Sequence, residues 1–357
     1  MKKFMQAQTG YGWLFAGGIM LAYLLTMFVF SDMLPAQWSF DSTYLQDLIT
    51  QGTDMESDAY VATANLFALL PDSMLMGFIS LLGCGVIAWM AGSAFTLSSG
   101  AAAGVMLTPL LLMGLLRPQK EVIVVLLSVV LMLAVVRARR ALVPLVAVAA
   151  LYLPYGAFVR PYYLLIFLVL LALHFVPRWS KGTIILAIAA GLASLFLLPG
   201  DVYLALQGPR DNGNFYRVLG DVGNRTFFLN PYYPDNLFAF MANYAYAALR
   251  LNLPLLFSVA PQEVFLVLSA TLYFWLGRCM FKLGNWRAQF LARLFVAHIL
   301  VLTLFEPDLG SYLRHASSVA LYLWPGLLLW QRMQVSLPAR HPMLTFLRLD
   351  HFQKEPA

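Results

Sequence analysis

Residues 73–116 read SMLMGFISLLGCGVIAWMAGSAFTLSSGAAAGVMLTPLLLMGLL, without one charged side chain. About 20 apolar residues cross the hydrocarbon core of a bilayer, so this run is too long for one helix and long enough for two. The small polar stretch Thr96-Leu97-Ser98-Ser99-Gly100 offers the turn between them. Composition extends the same reading to the whole chain of 357 residues, which is 61% hydrophobic and 11% charged, with a mean hydropathy of +0.74. Soluble domains carry about 25% charged residues, which excludes a soluble enzyme, a nucleic-acid-binding protein and a disordered scaffold.

Uncharged apolar stretches of spanning length fall at about 12–30, 74–92, 98–116, 122–136, 141–159, 161–177, 182–200, 262–277, 289–305 and 316–331. Ten spans are therefore expected in a single membrane domain covering 1–357, with no internal repeat. The apolar run after Met1-Lys2-Lys3 is longer than the core of a signal peptide and lacks a small-residue cleavage site, so it reads as a retained first span. Cys84 and Cys279 lie far apart in membrane-like and basic contexts and suggest neither a disulfide nor a metal site.

Charge sets the orientation. With the N-terminus inside, the N-terminal Met1-Lys2-Lys3, the inner turns and the tail 332–357 hold 14 of the 23 Lys/Arg but only Asp350 and Glu355 of the 17 Asp/Glu. This satisfies the positive-inside rule along the whole chain. Two outer segments are large. The acidic one, about 31–72, contains Asp32, Asp41, Asp47, Asp54, Glu56, Asp58 and Asp72 and no basic residue. The second, 201–261, is rich in arginine and aromatics, and its apolar part 236–258 reads as a helix lying at the interface, because a span there would invert every later loop. The fold class is all-α: a polytopic integral membrane protein of about ten transmembrane helices, whose large outer loop contains an interfacial helix.

On this topology Arg117, Lys120, Arg160, Arg210, Arg217, Arg225, Arg250 and Arg314 break the positive-inside rule. Seven of these eight are arginine, whose planar fork suits phosphate and carboxylate where lysine offers a point charge. Their convergence on an anionic ligand, such as a lipid-linked diphosphate, competes with simple pairing to the acids of the same face: Arg117 with Glu121 at helical spacing, Arg314 with Glu306 or Asp308 across a turn. Arg160, in Phe158-Val159-Arg160-Pro161-Tyr162-Tyr163, has no acid within ten residues in sequence. It is the leading anion-binding candidate.

The last outer turn, Glu306-Pro307-Asp308-Leu309-Gly310-Ser311-Tyr312-Leu313-Arg314-His315, gathers two carboxylates, an arginine and an imidazole. Such a set can orient a hydroxyl, take its proton and hold a leaving phosphate, although an ordinary polar helix cap contains similar residues. The aromatics of 201–261, among them Tyr232, Tyr233, Phe238 and Tyr244, suit sugar faces and a membrane-interface belt equally well. His174 and His298 lie inside spans and read as packing residues. Without a tight Asp-x-Asp pair, the acidic group near Asp41 and Asp54–Asp58 is a weak metal candidate. Asn224-Arg225-Thr226 fits a glycosylation acceptor, a pattern common by chance.

Phe40-Asp41-Ser42 and Thr63-Ala64-Asn65 after the first span, Lys120-Glu121 opening a helix, Arg160-Pro161-Tyr162-Tyr163 and Asp308 to His315 together resemble the O-antigen and exopolysaccharide polymerase (Wzy-type) families of bacterial inner membranes. The resemblance implies that outer means periplasmic. It also implies a substrate of undecaprenyl-diphosphate-linked oligosaccharide repeats, handled without metal or other cofactor, with a chain-length regulator and a flippase as partners. Under it, His315, Glu306 and Asp308 are catalytic candidates, and Arg160, Arg117, Arg314 and Lys120 would hold the diphosphate. Arg210, Arg217, Arg225, Tyr162 and Tyr312 would hold the substrate. The spacing of Arg210 to Gly220 is one residue short of the Arg-x10-Gly pattern of some members. Alternatives are a polyprenyl-linked-sugar-dependent glycosyltransferase, in which Asp41 would be the essential carboxylate, and a lipid-linked oligosaccharide transporter or flippase.

Overall fold

The computed structural model describes residues 2–34, 36–51, 59–94, 96–176, 179–219, 226–283 and 285–328. Arg225, Asp54, Glu56, Asp58 and the tail 332–357 lie outside them, as do the side chains of Asp41 and Arg217. The described residues are helical, without a strand among them. The helices are α1 (Lys2–Phe28), α2 (Ala36–Gln51), α3 (Ala59–Phe67), α4 (Asp72–Met90), α5 (Leu97–Leu110), α6 (Lys120–Arg137), α7 (Leu142–Phe158), α8 (Tyr162–Phe175), α9 (Lys181–Phe196), α10 (Gly200–Leu219), α11 (Leu237–Asn252), α12 (Pro261–Lys282), α13 (Trp286–Phe305) and α14 (Leu309–Ala320). The chain divides into two compact units, 1–167 with 272–295 and 317–357, and 168–271 with 296–316.

Eight of the ten expected spans coincide with a helix to within about five residues; α1 starts at Lys2, ten residues before the first, and α14 (Leu309–Ala320) starts seven residues before the last and ends inside it. Among the described residues five helices are long and apolar enough to cross a membrane: Tyr11–Phe28 of α1, α4, α5 with its continuation to Leu115, α12 and α13. The pair α9 and α10 would make a sixth, bent by 92°. Helices α7 and α8 are apolar but shorter, at 17 and 14 residues. Only 22% of the α1 window is buried, and Leu14, Leu21, Leu81 and Phe274 are all more than half exposed. Apolar side chains directed outward on long helices are what a hydrocarbon solvent accommodates and water does not.

The decisive stretch folds as a hairpin. α4 ends at Met90, and Thr96 restarts the chain through a capping box: its Oγ1 accepts from the Ser99 amide at 3.2 Å, and Ser99 Oγ accepts from the Thr96 amide at 3.0 Å. The stretch expected as a turn therefore belongs half to the helix it caps. Pro109 lacks an amide donor and disturbs α5, which widens into a π-helical turn over Leu111–Leu115. Tyr23 donates its hydroxyl to the Leu115 carbonyl at 2.7 Å. It can do so because Gly83 lies beneath the ring, where a Cβ would stand 2.5 Å from the hydroxyl.

The two segments between apolar stretches, 31–72 and 201–261, contain helices of their own. The acidic loop 31–72 is largely helical, since α2 and α3 pack on each other through buried Leu45 and the edge-on ring pair Tyr44–Tyr60. The segment 201–261 contains two helices where one was expected. α10 was obscured by Gly208 and Pro209 inside it, and α11 is shorter than 236–258. α11 starts at Asn236, whose side chain accepts from the Ala239 amide, and ends at Leu253, which Pro254 keeps out of the helical region.

Candidate functional site

In the first unit the turn between α7 and α8 carries Arg160, only 4% exposed. Its Nη2 donates to Glu121 Oε1 at 2.9 Å and its Nη1 to the Tyr162 hydroxyl at 3.1 Å. The acid that sequence distance hid is thus 39 residues away, in the first turn of α6. Around this pair stands a tyrosine cluster. Tyr163 packs edge-on against Tyr152 and Tyr155, and the Tyr152 and Tyr322 hydroxyls are 2.9 Å apart. Along α6, Glu121 and Ser128 are seven residues apart and both buried, so they share one face.

The remaining basic residues of this unit are engaged as well. Arg117 donates to the Ser31 carbonyl at 3.0 Å and to Asp32 at 3.3 Å; its partner is Asp32, in place of the Glu121 suggested by helical spacing. Lys120 stands over the Tyr60 ring with Nζ 3.1 Å from the centroid, a cation–π contact. Arg117, Lys120, Arg160 and Tyr162 therefore share a unit, each with a protein partner.

The second unit holds the other candidates. Arg210 on α10 has no exposed surface. It donates to the carbonyls of Thr303 and of Leu304 (2.5 Å) and to Asn230 Oδ1 at 3.1 Å, and it lies against the Phe228 ring. Those carbonyls belong to the last turn of α13, where helix geometry leaves them without an intrahelical donor. Arg210 is therefore a cap for α13. Gln207, Arg210 and Asn214, at spacings of three and four, form one face of α10, and all three are fully buried.

This face binds chain on several sides. Asn214 donates to the Phe228 carbonyl at 2.8 Å, and Gln207 accepts from Asn243 of α11 at 2.9 Å. Asn230 donates to Asp211 at 2.6 Å. The segment after Thr226 in turn meets the turn between α13 and α14, through a bridge between Phe227 and Asp308 and a Phe228 amide donating to the Pro307 carbonyl at 3.4 Å. Sequence reading missed Gln207, Asn214, Asn230 and Asn243. Their signal was the amide-bearing i, i+3, i+7 spacing on α10, which the glycine and proline between them obscured.

Glu306 and Pro307 follow α13, and Asp308 starts α14: its Oδ1 accepts from the Ser311 amide at 2.8 Å. Asp308, one of the three catalytic candidates, is thus a helix N-cap. Glu306 and His315 come together, with the carboxylate Oε1 against Nδ1 of the ring and side-chain exposures of 4% and 12%. Burial by itself pushes the Glu306 carboxyl upward. The charge and hydrogen bond of His315, a hydrogen bond from Ser311 and the charge of Arg314 outweigh it and hold the group below its ordinary value. Arg314 thus acts on Glu306, as its sequence position suggests. Tyr312 is 3% exposed and donates to Asn252 Oδ1 at 2.8 Å.

A buried carboxylate on Nδ1 orients an imidazole and turns Nε2 to the opposite side of the ring. Chemically the turn can serve as a general base beside an arginine. Among the described residues no group of three or more His, Cys, Asp or Glu is placed to hold a metal ion. Among the described residues, fold and site define an all-helical protein with five helices long and apolar enough to cross a membrane and a part-buried His–Glu pair that joins the turn before α14 to that helix. No family model, curated protein or solved structure matches the chain.

Proposed function

We propose that this chain polymerises undecaprenyl-diphosphate-linked oligosaccharide repeats at the periplasmic face of a bacterial inner membrane, as a metal-independent glycosyltransferase. One observation carries the reading: the Glu306–His315 pair, part-buried at a chain turn with Arg314 acting on it. In the reaction the acceptor sugar hydroxyl forms a bond to the anomeric carbon of the donor chain. The bond from that carbon to the diphosphate oxygen breaks with its electron pair, and the hydroxyl proton passes to His315 Nε2 while Glu306 holds the ring. Arg314 balances the charge growing on the departing diphosphate. Asp308 sets the start of α14. Arg210, fully buried against α13, positions the turn in place of touching substrate. A chain-length regulator and a flippase are the partners this activity would require.

The test is His315→Ala, as the sole copy in the native cell. Single lipid-linked repeats should accumulate and polymer should disappear while the protein remains in the membrane at its normal level. Polymer of ordinary length in that strain would refute the assignment.

A further inference from the structure

Tyr232 and Tyr233 are 59% and 70% exposed, in Asn230-Pro231-Tyr232-Tyr233-Pro234-Asp235-Asn236. Their backbone is held unusually firmly for a segment whose rings point outward. Asn243 of α11, itself with no exposed surface, accepts from the Tyr232 amide at 3.0 Å and donates to the Tyr232 carbonyl at 2.8 Å. The Tyr233 carbonyl takes the Asp235 amide at 3.0 Å, and a proline on each side fixes its own φ. A buried amide that commits both its ends to one residue's backbone fixes the direction of that residue's side chain. Lipid accepts an aromatic on any local backbone and requires no such direction, whereas stacking on a rigid ring does.

The surroundings add a second argument. Asp211, Asn230, Asp235 and Asn236 lie beside the pair in sequence or through hydrogen bonds, offering carboxylates and amides suited to hydroxyl groups. The same segment begins at the bridge between Phe227 and Asp308. Five and six residues of extended chain reach at most about 22 Å, so the tyrosines are tied to the turn bearing Glu306 and His315 within the length of a short oligosaccharide. We propose that Tyr232 and Tyr233 form a stacking platform for the pyranose rings of a lipid-linked oligosaccharide, registered to the His–Glu turn by the buried face of α10. Tyrosine rings offer apolar area to the C–H faces of the sugar, and the flanking polar groups take its hydroxyls. This inference rests on the glycosyl-transfer reading of that turn.

The experiment has two arms, both on the full chain. In cells, Tyr232→Ala with Tyr233→Ala should lower polymer yield about tenfold and shorten it, whereas the corresponding Phe pair should stay within about threefold, since stacking survives loss of the hydroxyl. The corresponding Leu pair, apolar but without a ring face, should behave as the Ala pair does; it replaces the Ala pair if that protein fails to accumulate. His315→Ala runs alongside: polymer in that strain overturns the parent reading, while its absence together with normal polymer from the Ala and Leu pairs overturns the platform alone. In the second arm, Cys84 and Cys279 are replaced by serine and a Tyr233→Cys variant carries a fluorophore in phosphatidylethanolamine/phosphatidylglycerol vesicles. Quenching by aqueous iodide supports the platform; quenching by lipids brominated on their chains identifies a membrane belt and overturns it.

Discussion

Replacing Arg160 by methionine removes the charge partner of a Glu121 carboxylate whose side chain is 1% exposed. Breaking a buried ion pair from one side costs about 3–5 kcal/mol, because the remaining charge keeps its desolvation penalty without its partner. Glu121→Gln should cost about 2–3 kcal/mol, since the amide oxygen can still accept from Arg160 while the guanidinium stays uncompensated. Removing both charges ends both penalties, so Glu121→Gln with Arg160→Met should lie within about 2 kcal/mol of the parent, a coupling of at least about 3 kcal/mol in the cycle. Thermal unfolding in mild detergent, followed by loss of helical circular dichroism, measures all four proteins. Additive single effects, with a coupling below about 0.5 kcal/mol, would refute the view that the two groups exist chiefly for each other. Polymer yield separates the remaining roles. If Arg160 serves only to neutralise Glu121, the double variant restores polymer; if it also holds the diphosphate, as its position in sequence suggests, stability returns and polymer does not.

Arg210→Met takes the donor from two last-turn carbonyls of α13 and from Asn230, and should lower stability by about 3 kcal/mol once the relief of guanidinium burial is counted; a loss below about 1 kcal/mol in the same unfolding assay would contradict the capping role. Asp308→Ala should cost about 1 kcal/mol through loss of the N-cap, and Asp308→Asn only a few tenths, with both retaining polymerisation in membranes; abolition of activity in Asp308→Asn would restore Asp308 as a catalytic group. Because Glu306 is held below its ordinary value, its contribution to stability is complete above the unfolded carboxyl value of about 4.3 and is lost as pH falls through the lower native value. Glu306→Gln should therefore flatten the acid limb of a stability-against-pH curve, and an unchanged limb would show that the carboxylate gains nothing from His315 and Arg314.

The reach of the sequence differs between helices and their partners. Helix positions follow from local hydropathy, and the ten apolar stretches appear as helices because lipid-compatible length and composition are properties of consecutive residues. Errors arose where polarity masked helicity. α2 and α10 carry Asp, Gln or Asn among their apolar residues, and α10 buries Gln207, Arg210 and Asn214 against other chain, which no window of hydropathy can register. The Glu306–His315 pair was legible, since nine residues across a helix start bring the two groups together. Arg117 turned to Asp32 across 85 residues and Arg160 to Glu121 across 39, even though a nearer acid was available to one and none to the other.

Alone, the sequence determined the solvent in which this chain folds, the approximate ends of its apolar helices and the concentration of ionisable chemistry at the turn before α14. Tertiary structure decided what each arginine does: Arg210 became a helix cap, Arg117 and Arg160 became members of ion pairs, and Arg314 was left acting on the Glu306 carboxylate. The reason is physical. Burial and helix length are sums over neighbouring residues, whereas a guanidinium's partner is whichever carbonyl or carboxylate the packing of distant helices leaves without another donor.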